Sequence, residues 1–260
     1  MGTIPITISA LKSLYHLYLY SNSLVGTIPD TISALTSLEH LRLNNNSLVG
    51  TIPSMISGLT FLQYLSLGSN SLSGTISNTI GALTSLRFLL FYNNWFSGTI
   101  PSTIGALTSL QLLYIYGNSL MGTIPSTISG LTSLRNLYLY NNLLSGTIPN
   151  TIGALTSLKF LFLNSNSLVG TIPSTMSALT SLTFVNLSTN YLTMGTATSV
   201  PTSTFSSYTL SNDIDLNENC LVFDTRSPYP YRHVTATHCR STGKYEVCCP
   251  NILYFDVIVY

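Results

Sequence analysis

Leucine and isoleucine recur at fixed places along most of this chain, with polar residues between them. Gly-Thr-Ile appears eight times at a constant spacing of 24 residues, and Pro follows the Ile in every copy except one, where Ser77 takes its place. The aligned copies share the unit LxxLxLxxNxLxGTIPxTIxxLTS. A constant period of this length indicates a solenoid in which each unit forms one coil and only stacked coils bury a continuous core.

Each unit contains one short strand and a longer returning segment. The alternation Leu17-x-Leu19 predicts a strand with these two side chains directed inward and their neighbours directed outward. The apolar positions of the returning segment, which are Leu24, Ile28 and Ile32 in this coil, face the same core. Strands of successive coils then form a parallel sheet, with neighbouring strands about 4.8 Å apart.

One polar position of the unit is also predicted to face inward. An Asn at the bend after each strand can bond backbone groups that the turn leaves unpaired, and such groups are costly to bury. The Gly of each unit allows a tight bend, and the Pro fixes φ where no donor is needed. The expected structural Asn ladder consists of Asn22, Asn46, Asn70, Asn94, Asn118, Asn142, Asn166 and Asn190.

This pattern resembles the leucine-rich repeat family, specifically its plant-type subclass, whose LxGxIP marker is present here as Leu24-Val25-Gly26-Thr27-Ile28-Pro29. The resemblance covers residues 1–195, the predicted solenoid domain. It implies an α/β-type solenoid: a right-handed coil stack with a concave parallel β-sheet, mostly strand and irregular or 3-10 structure, and a short second strand around the GTIP segment. Members of the family are mostly receptor ectodomains, wall proteins or inhibitors of secreted enzymes.

Both ends of the array depart from the period. The chain starts inside a repeat without the N-terminal cap usual in this family, so we expect either a fragment of a longer secreted chain or an end covered by another molecule. The period breaks after Asn190, and Ile214-x-Leu216-x-x-Asn219 restores it 29 residues later. Residues 196–260 are therefore predicted to form an irregular last coil and a cysteine-containing C-terminal cap.

The cysteines all lie in this C-terminal segment, at Cys220, Cys239, Cys248 and Cys249. Four cysteines allow three pairings, and since sequence neighbours seldom bond to each other, we expect each of the first two to pair with one of the last two. Disulfides would indicate an oxidising, extracellular compartment. The alternative is a metal site, which is disfavoured because its spacing matches no zinc template. Its ligands would be His233, His238, Cys239 and Cys248.

Charge is scarce and limits the possible functions. Only 7% of the residues are charged and the net charge is +1, so neither nucleic acid nor an anionic membrane surface is a predicted partner. No apolar run approaches the ~20 residues of a membrane-spanning helix. The first 195 residues contain two acids, Asp30 and Glu39, and two imidazoles, His16 and His40, with no nucleophile–base pair. We therefore predict no catalysis, no metal and no cofactor, and a plain surface role for both histidines.

The outward strand positions are strongly aromatic. A contiguous aromatic band is typical of a binding surface, and tyrosine suits both protein contacts and stacking against sugar rings. The alternative is that cross-strand aromatic pairs only stabilise the sheet. The predicted ligand-binding residues are Tyr18, Tyr20, Tyr92, Tyr114, Tyr116, Tyr138, Tyr140, Phe160 and Phe162.

Hydroxyl groups form a second regularity on the opposite face, where one threonine recurs in each coil. These are Thr27, Thr51, Thr75, Thr99, Thr123, Thr147 and Thr171, here called the outer Thr file. Three roles compete: plain solvent exposure, O-glycosylation that keeps a weakly charged surface soluble, and ice binding, which a curved solenoid fits poorly. A near-parallel second file consists of Thr31, Thr79, Thr103, Thr127, Thr151 and Thr175. Two Asn-x-Ser sequons, at Asn45 and Asn186, are candidate N-glycosylation sites.

These observations predict a non-enzymatic extracellular protein, secreted or at the cell surface, that binds protein or carbohydrate through its aromatic concave face. The alternative is a structural protein whose coils stack head to tail into a glycosylated extracellular fibril, because a contact that does not close generates a filament. Covalent glycans are expected in both cases, and ice binding through the Thr files is a remote third function.

Overall fold

The structure is a computed structural model that describes residues 2–193 and the backbone of four further strands between residues 214 and 248. Each 24-residue unit of residues 2–193 forms one coil of a solenoid, with a strand on the concave side, a second strand after the Asn bend and a short 3-10 segment on the return. No α-helix occurs among the described residues. Within the same residues, no helix has the length and apolar character needed to cross a membrane.

The first sheet contains nine parallel strands in the described part of the chain and lines the concave side. Its strands are β1 (His16–Tyr18), β3 (His40–Arg42), β5 (Tyr64–Ser66), β7 (Phe88–Leu90), β9 (Leu112–Tyr114), β11 (Asn136–Tyr138), β13 (Phe160–Phe162), β15 (Phe184–Asn186) and β17 (Ile214–Asp215). From β1 to β15 the register is in phase with the repeat, as in the pair Leu113 and Leu137. Equivalent side chains of successive coils therefore stand side by side. At the end of the sheet, Val185 is paired with Ile214.

The second sheet contains eight parallel strands in the described part, and its register differs. They are β2 (Val25–Gly26), β4 (Ser47–Gly50), β6 (Ser71–Thr75), β8 (Trp95–Thr99), β10 (Ser119–Gly122), β12 (Leu143–Gly146), β14 (Ser167–Thr171) and β16 (Tyr191–Thr193). Met121 is paired with Leu143, which is two residues short of one repeat. Three short antiparallel strands follow, β18 (Leu221–Phe223), β19 (Arg240–Ser241) and β20 (Glu246–Cys248), with β20 in the centre.

A five-residue 3-10 segment follows each GTIP or GTIS motif. These segments are Ile6–Ala10, Asp30–Ala34, Ser54–Gly58, Asn78–Ala82, Ser102–Ala106, Ser126–Gly130, Asn150–Ala154 and Ser174–Ala178. Proline precedes them in extended conformation, with φ −71° at Pro29, and its missing N–H would have no partner at a helix start. Where Ser77 replaces the proline, its hydroxyl instead accepts a bond from the Thr79 N–H at 3.2 Å.

The core is one continuous stack of aliphatic side chains that extends through all described coils. Inward strand residues such as Leu113 and Leu137 have no exposed surface, and returning residues such as Ile128 and Leu131 close the core from the other side. The burial of these positions in every coil matches the hydrophobic period of the sequence. Because each coil alone would leave this set exposed, stability comes from the contacts between neighbouring coils.

The ladder asparagines connect neighbouring coils below the bends. The Asn94 carbonyl oxygen accepts from the Leu72 N–H at 3.0 Å, and its amide group donates to the carbonyls of Leu67 at 3.0 Å and Phe91 at 3.2 Å. The same three kinds of bond recur from Asn46 to Asn166. Asn22 differs: it is exposed, and its bonds in the described part go to carbonyls of its own coil.

Candidate ligand-binding surface

The predicted aromatic residues meet on the concave side as two files of stacked rings. Tyr114 and Tyr138 have ring centroids 4.2 Å apart and planes within 5° of parallel. Tyr116 stacks on Tyr140 at 4.3 Å and 9°, and on Tyr92 at 5.1 Å and 11°. The in-phase register explains the stacking, because it places equivalent residues on adjacent strands one strand spacing apart. We call these five tyrosines the tyrosine files.

The ends of the tyrosine files are closed by other residues. Phe162 stands edge-on to Tyr138, with centroids 4.6 Å apart. At the other end Tyr92 covers Gly68 so closely that a Cβ atom there would overlap the ring. Gly68 is therefore the residue that allows Tyr92 to lie flat on the sheet. Tyr18 and Tyr20 lie apart from the files, 47% and 45% exposed, and Phe160 lies at the edge with 36% exposure.

Two aromatic residues that the sequence analysis did not assign to ligand binding continue the band. Tyr64 and Phe88 have centroids 5.0 Å apart, and Tyr64 contacts His40 at 5.8 Å. They share a strand position with His16 and His40, so the in-phase register was the signal that links them. Two other outward positions nearby, Ser66 and Leu90, are buried at 2% and 7% exposure, so the centre of this face has no open floor.

Hydrogen bonds link the phenol groups of the tyrosine files. The Tyr116 hydroxyl donates to that of Tyr140, and the Tyr114 oxygen accepts from the Asn136 amide at 2.9 Å. Burial raises the pKa of Tyr114 to about 12, and burial also raises the pKa values of Tyr116, Tyr92 and Tyr140. These hydroxyls are therefore neutral near pH 7 and act as hydrogen-bonding groups.

A row of polar residues lies at the edge where the chain enters each strand of the first sheet. The residue before the strand and the first strand residue both donate their N–H to one carbonyl of the preceding coil, as Arg135 and Asn136 do to Gln111 at 2.8 and 3.1 Å. Arg87, Arg135 and Lys159 are exposed in this row. With its amide turned to satisfy both partners, Gln111 accepts from Arg87 Nε at 3.2 Å and Nη2 at 3.0 Å. We call these three cations the basic edge.

The two histidines lie at the N-terminal end of the same face, next to an acid. The rings of His16 and His40 are 4.5 Å apart, and the ligand atoms of both and of Glu39 lie within 4.8 Å of one another. Burial, then His16 and Arg42, lower the pKa of His40. The Arg42 guanidinium lies over the rings of Tyr64 at 4.0 Å and Tyr18 at 5.0 Å. The sequence analysis missed the proximity of Glu39, which the adjacent position in the chain signals.

The two threonine files differ in what their hydroxyls do. All seven threonines of the outer Thr file are exposed. The methyl group of Thr51 packs against Gly74, where a Cβ atom would lie 2.8 Å from it, so the methyl points to the neighbouring coil. In the second file, the Thr103 hydroxyl donates to the Asn78 carbonyl at 2.7 Å, and Thr127 and Thr175 make the equivalent bond. These donors therefore connect coils.

The candidate modification sites have different surroundings. Asn45 is exposed at a bend with φ 56°. Asn186 is half-buried, and its carbonyl oxygen accepts from the Ser188 N–H at 3.0 Å and hydroxyl at 2.8 Å. The four cysteines and the alternative metal ligands of the C-terminal segment lie outside the residues whose side chains the structure describes.

Comparison with known families decides the relationship of the chain. A family model described as a leucine-rich repeat region matches residues 70–199, which is half of the chain. A model of the single leucine rich repeat matches residues 13–35 and 37–59. The chain belongs to the leucine-rich repeat family. No curated protein sequence matches this leucine-rich repeat chain.

Solved plant leucine-rich repeat structures are similar to it over 85% of its length. The ectodomain of the Arabidopsis thaliana receptor kinase GASSHO1/SCHENGEN3, in complex with CASPARIAN STRIP INTEGRITY FACTOR 2, is 38% identical with a TM-score of 0.77. The PEPR1–AtPEP1 structure is 35% identical with a TM-score of 0.72. This chain covers 26% and 34% of those two chains. A plant ice-binding protein is 29% identical with a TM-score of 0.72, and 69% of its chain is covered.

Proposed function

We propose that this leucine-rich repeat chain is a non-enzymatic extracellular binding protein, and that its concave face binds an extended peptide or protein segment. The observation that supports the proposal is the row of half-buried tyrosine hydroxyls in the tyrosine files, beside the exposed basic edge. The similar structures support the same class of partner, since one receptor ectodomain was solved with CASPARIAN STRIP INTEGRITY FACTOR 2 and another structure is a PEPR1–AtPEP1 complex.

A protein ligand fits the tyrosine files better than a carbohydrate does. Sugar binding by aromatic residues uses the flat face of the ring, but the faces of Tyr116, Tyr138 and Tyr140 are already occupied by stacking. What the files offer to a ligand is ring edges and hydroxyl groups. Backbone amides and carbonyls of an extended chain pair with such hydroxyls, since a phenol both donates and accepts.

The dimensions and charges of the face define the ligand further. Eight strands, from β1 to β15, span about 34 Å at the usual strand spacing, which an extended peptide of about ten residues would cover. Three cations, Arg87, Arg135 and Lys159, flank the C-terminal half of this length. We therefore expect the preferred peptides to carry acidic groups at that end, and their association to slow as salt screens the attraction.

A peptide selection experiment tests the proposal. Random peptides of about twelve residues, displayed on phage, are selected against the whole chain, and synthetic copies of the selected peptides are measured by calorimetry. We expect acidic peptides whose binding is lost in Tyr116→Ala and weakened in Tyr116→Phe, which removes only the hydroxyl. Arg135→Gln should reduce the association rate and its dependence on salt.

Thr123→Ala provides the matched control, because it removes a small exposed side chain from the other side of the same array. The selected peptides should bind this variant as they bind the unchanged chain. Peptides that bind Tyr116→Ala with full affinity, or a selection that yields no peptide for the concave face, would contradict the proposal.

Ice binding through the outer Thr file is a second candidate, favoured by one specific observation. The exposed threonines repeat at each coil with their methyl groups held against the next glycine, as Thr51 is against Gly74. This fixes the orientation of the hydroxyls as well as their spacing. A plant ice-binding protein is among the similar structures, and this chain covers 69% of it. The curvature of the solenoid is the argument against a flat ice surface.

An ice recrystallisation assay separates the two candidates. Ice binding predicts inhibition of crystal growth that is lost when Thr99→Tyr and Thr123→Tyr are combined and kept in Tyr116→Ala. Inhibition that is absent from the unchanged chain, or that persists in the threonine variant, rejects ice binding by this file.

Glycosylation and self-assembly are separate proposals for the natural protein. Exposure favours Asn45 over the half-buried Asn186 as an N-glycan acceptor, and the outer Thr file over the bonded second file for O-glycans. Peptide mass spectrometry of native material tests both assignments. Negative-stain imaging tests head-to-tail assembly, because fibrils would support a structural role and single solenoids would support the binding role.

A further inference from the structure

The cluster at the N-terminal end of the concave face combines three side chains that the chain direction alone would separate. His16 and His40 are register partners on the adjacent strands β1 and β3. Glu39 precedes His40, and consecutive residues of a regular strand point to opposite faces. Here the N–H groups of both Glu39 and His40 donate to the Tyr15 carbonyl, at 2.8 and 3.0 Å. This bent entry brings the carboxylate to the imidazoles, with all ligand atoms within 4.8 Å.

Two neighbouring residues hold the cluster in place. The Gln63 amide donates to one oxygen of Glu39 at 3.1 Å, which leaves the other oxygen available. Tyr18 Oη and His40 Nδ1 are 2.8 Å apart. When His40 carries its proton on Nδ1 and donates it to Tyr18, the lone pair of Nε2 is exposed. Metal-binding histidines are oriented by this kind of bond to an oxygen.

We propose that His16, Glu39 and His40 form a binding site for one divalent transition-metal ion of the Zn²⁺ type. Two imidazoles and one carboxylate suit Zn²⁺ and its neighbours, whereas Ca²⁺ and Mg²⁺ need more oxygen ligands. Tetrahedral coordination with bonds of about 2.1 Å places ligand atoms about 3.4 Å apart. The observed 4.8 Å closes to this distance by rotation of side chains that are exposed or half-buried.

The surroundings determine how strongly such an ion is held. The Arg42 guanidinium is the nearby positive charge that opposes it, and the Glu39 carboxylate offsets that charge. Three protein ligands leave a fourth position open. That position faces the concave side, where the proposed peptide would lie. The metal site does not depend on the peptide proposal, since its ligands all come from this chain.

Competition with a chromophoric chelator tests the site on the whole chain under non-reducing conditions, with Zn²⁺ as the probe. We expect one ion to be held by the cluster, with affinity reduced at least about tenfold in His16→Gln, His40→Gln and Glu39→Gln. Gln63→Ala should show a smaller loss, because it only orients Glu39. Circular dichroism of each variant checks that the solenoid is intact.

The chain has two further histidines, and they supply the matched control. His233→Gln combined with His238→Gln should retain the cluster-dependent Zn²⁺ binding. The proposal is overturned by an absence of binding at roughly 100 µM Zn²⁺, or by unchanged affinity in His16→Gln and His40→Gln. Loss of all binding in the His233 and His238 variant would likewise move the site to the C-terminal segment.

Discussion

Removal of one ladder amide tests how the coils are held together. In Asn94→Ala, the Leu72 N–H loses the only acceptor that the described residues provide, the Asn94 carbonyl oxygen at 3.0 Å. The carbonyls at the other end of the side chain are in a different position. Leu67 still accepts from the Asn70 amide at 2.9 Å, and Phe91 still accepts from the Asn118 amide at 3.1 Å.

The expected cost follows from this asymmetry. A buried N–H without a partner costs about 1–3 kcal/mol, and the weakened carbonyl bonds add about 1 kcal/mol. We therefore expect Asn94→Ala to lower the free energy of unfolding by about 2–4 kcal/mol. Asn22→Ala is the matched control, because Asn22 is exposed and bonds within its own coil. Its expected cost is below about 1 kcal/mol.

Urea unfolding measures the stability difference, and amide hydrogen exchange locates it. The unfolding midpoint should fall in Asn94→Ala with little change in slope. The Leu72 amide should lose more protection than the amides of Leu67 and Phe91. Equal destabilisation by Asn94→Ala and Asn22→Ala, or a Leu72 amide as protected as before, would refute the assigned role of the ladder.

Further predictions concern packing and pH. Gly130 and Gly58 occupy the same repeat position, but a Cβ at Gly130 would overlap a carbonyl of the neighbouring coil and one at Gly58 meets nothing within 4 Å. In urea unfolding, Gly130→Ala should cost about 1–3 kcal/mol, whereas Gly58→Ala should stabilise by up to about 1 kcal/mol. Leu113→Ala, at a fully buried position, should cost about 2–5 kcal/mol, and Leu143→Ala, at 55% exposure, far less. The pKa of Tyr114 is raised from 10.0 to about 12, so its contribution to stability is complete below pH 10 and is lost as the pH rises towards 12. Phenolate absorbance should show this ionisation together with unfolding; ionisation near pH 10 in the folded chain would contradict it.

The constant period made much of this fold predictable from the sequence. Because every unit has 24 residues, the strand position of one coil predicts that of the next, and residues such as Tyr116 and Tyr140 are placed on adjacent strands in advance. The same period predicted the buried face that contains Leu113. These features depend only on equal coil length and on side-chain alternation, both of which can be read directly.

Other features depend on local geometry that the period does not contain. Glu39 approaches the histidines because two N–H groups share one carbonyl at the strand entry. Met121 lies beside Leu143 because the second sheet is displaced by two residues relative to the repeat. Tyr92 lies flat on Gly68 because one coil has no side chain there. Each is a property of how particular atoms meet, so a repeat consensus averages it away.

The in-phase register of the first sheet also bears on how such a chain changes over generations. Each coil contacts its two neighbours through the same ladder bonds and strand pairs, so gain or loss of one whole 24-residue unit leaves the remaining junctions chemically unchanged. Unequal crossing-over between near-identical repeats would therefore lengthen or shorten the surface in steps of about 4.8 Å without a new folding problem. Insertions of any other length would interrupt every file at once.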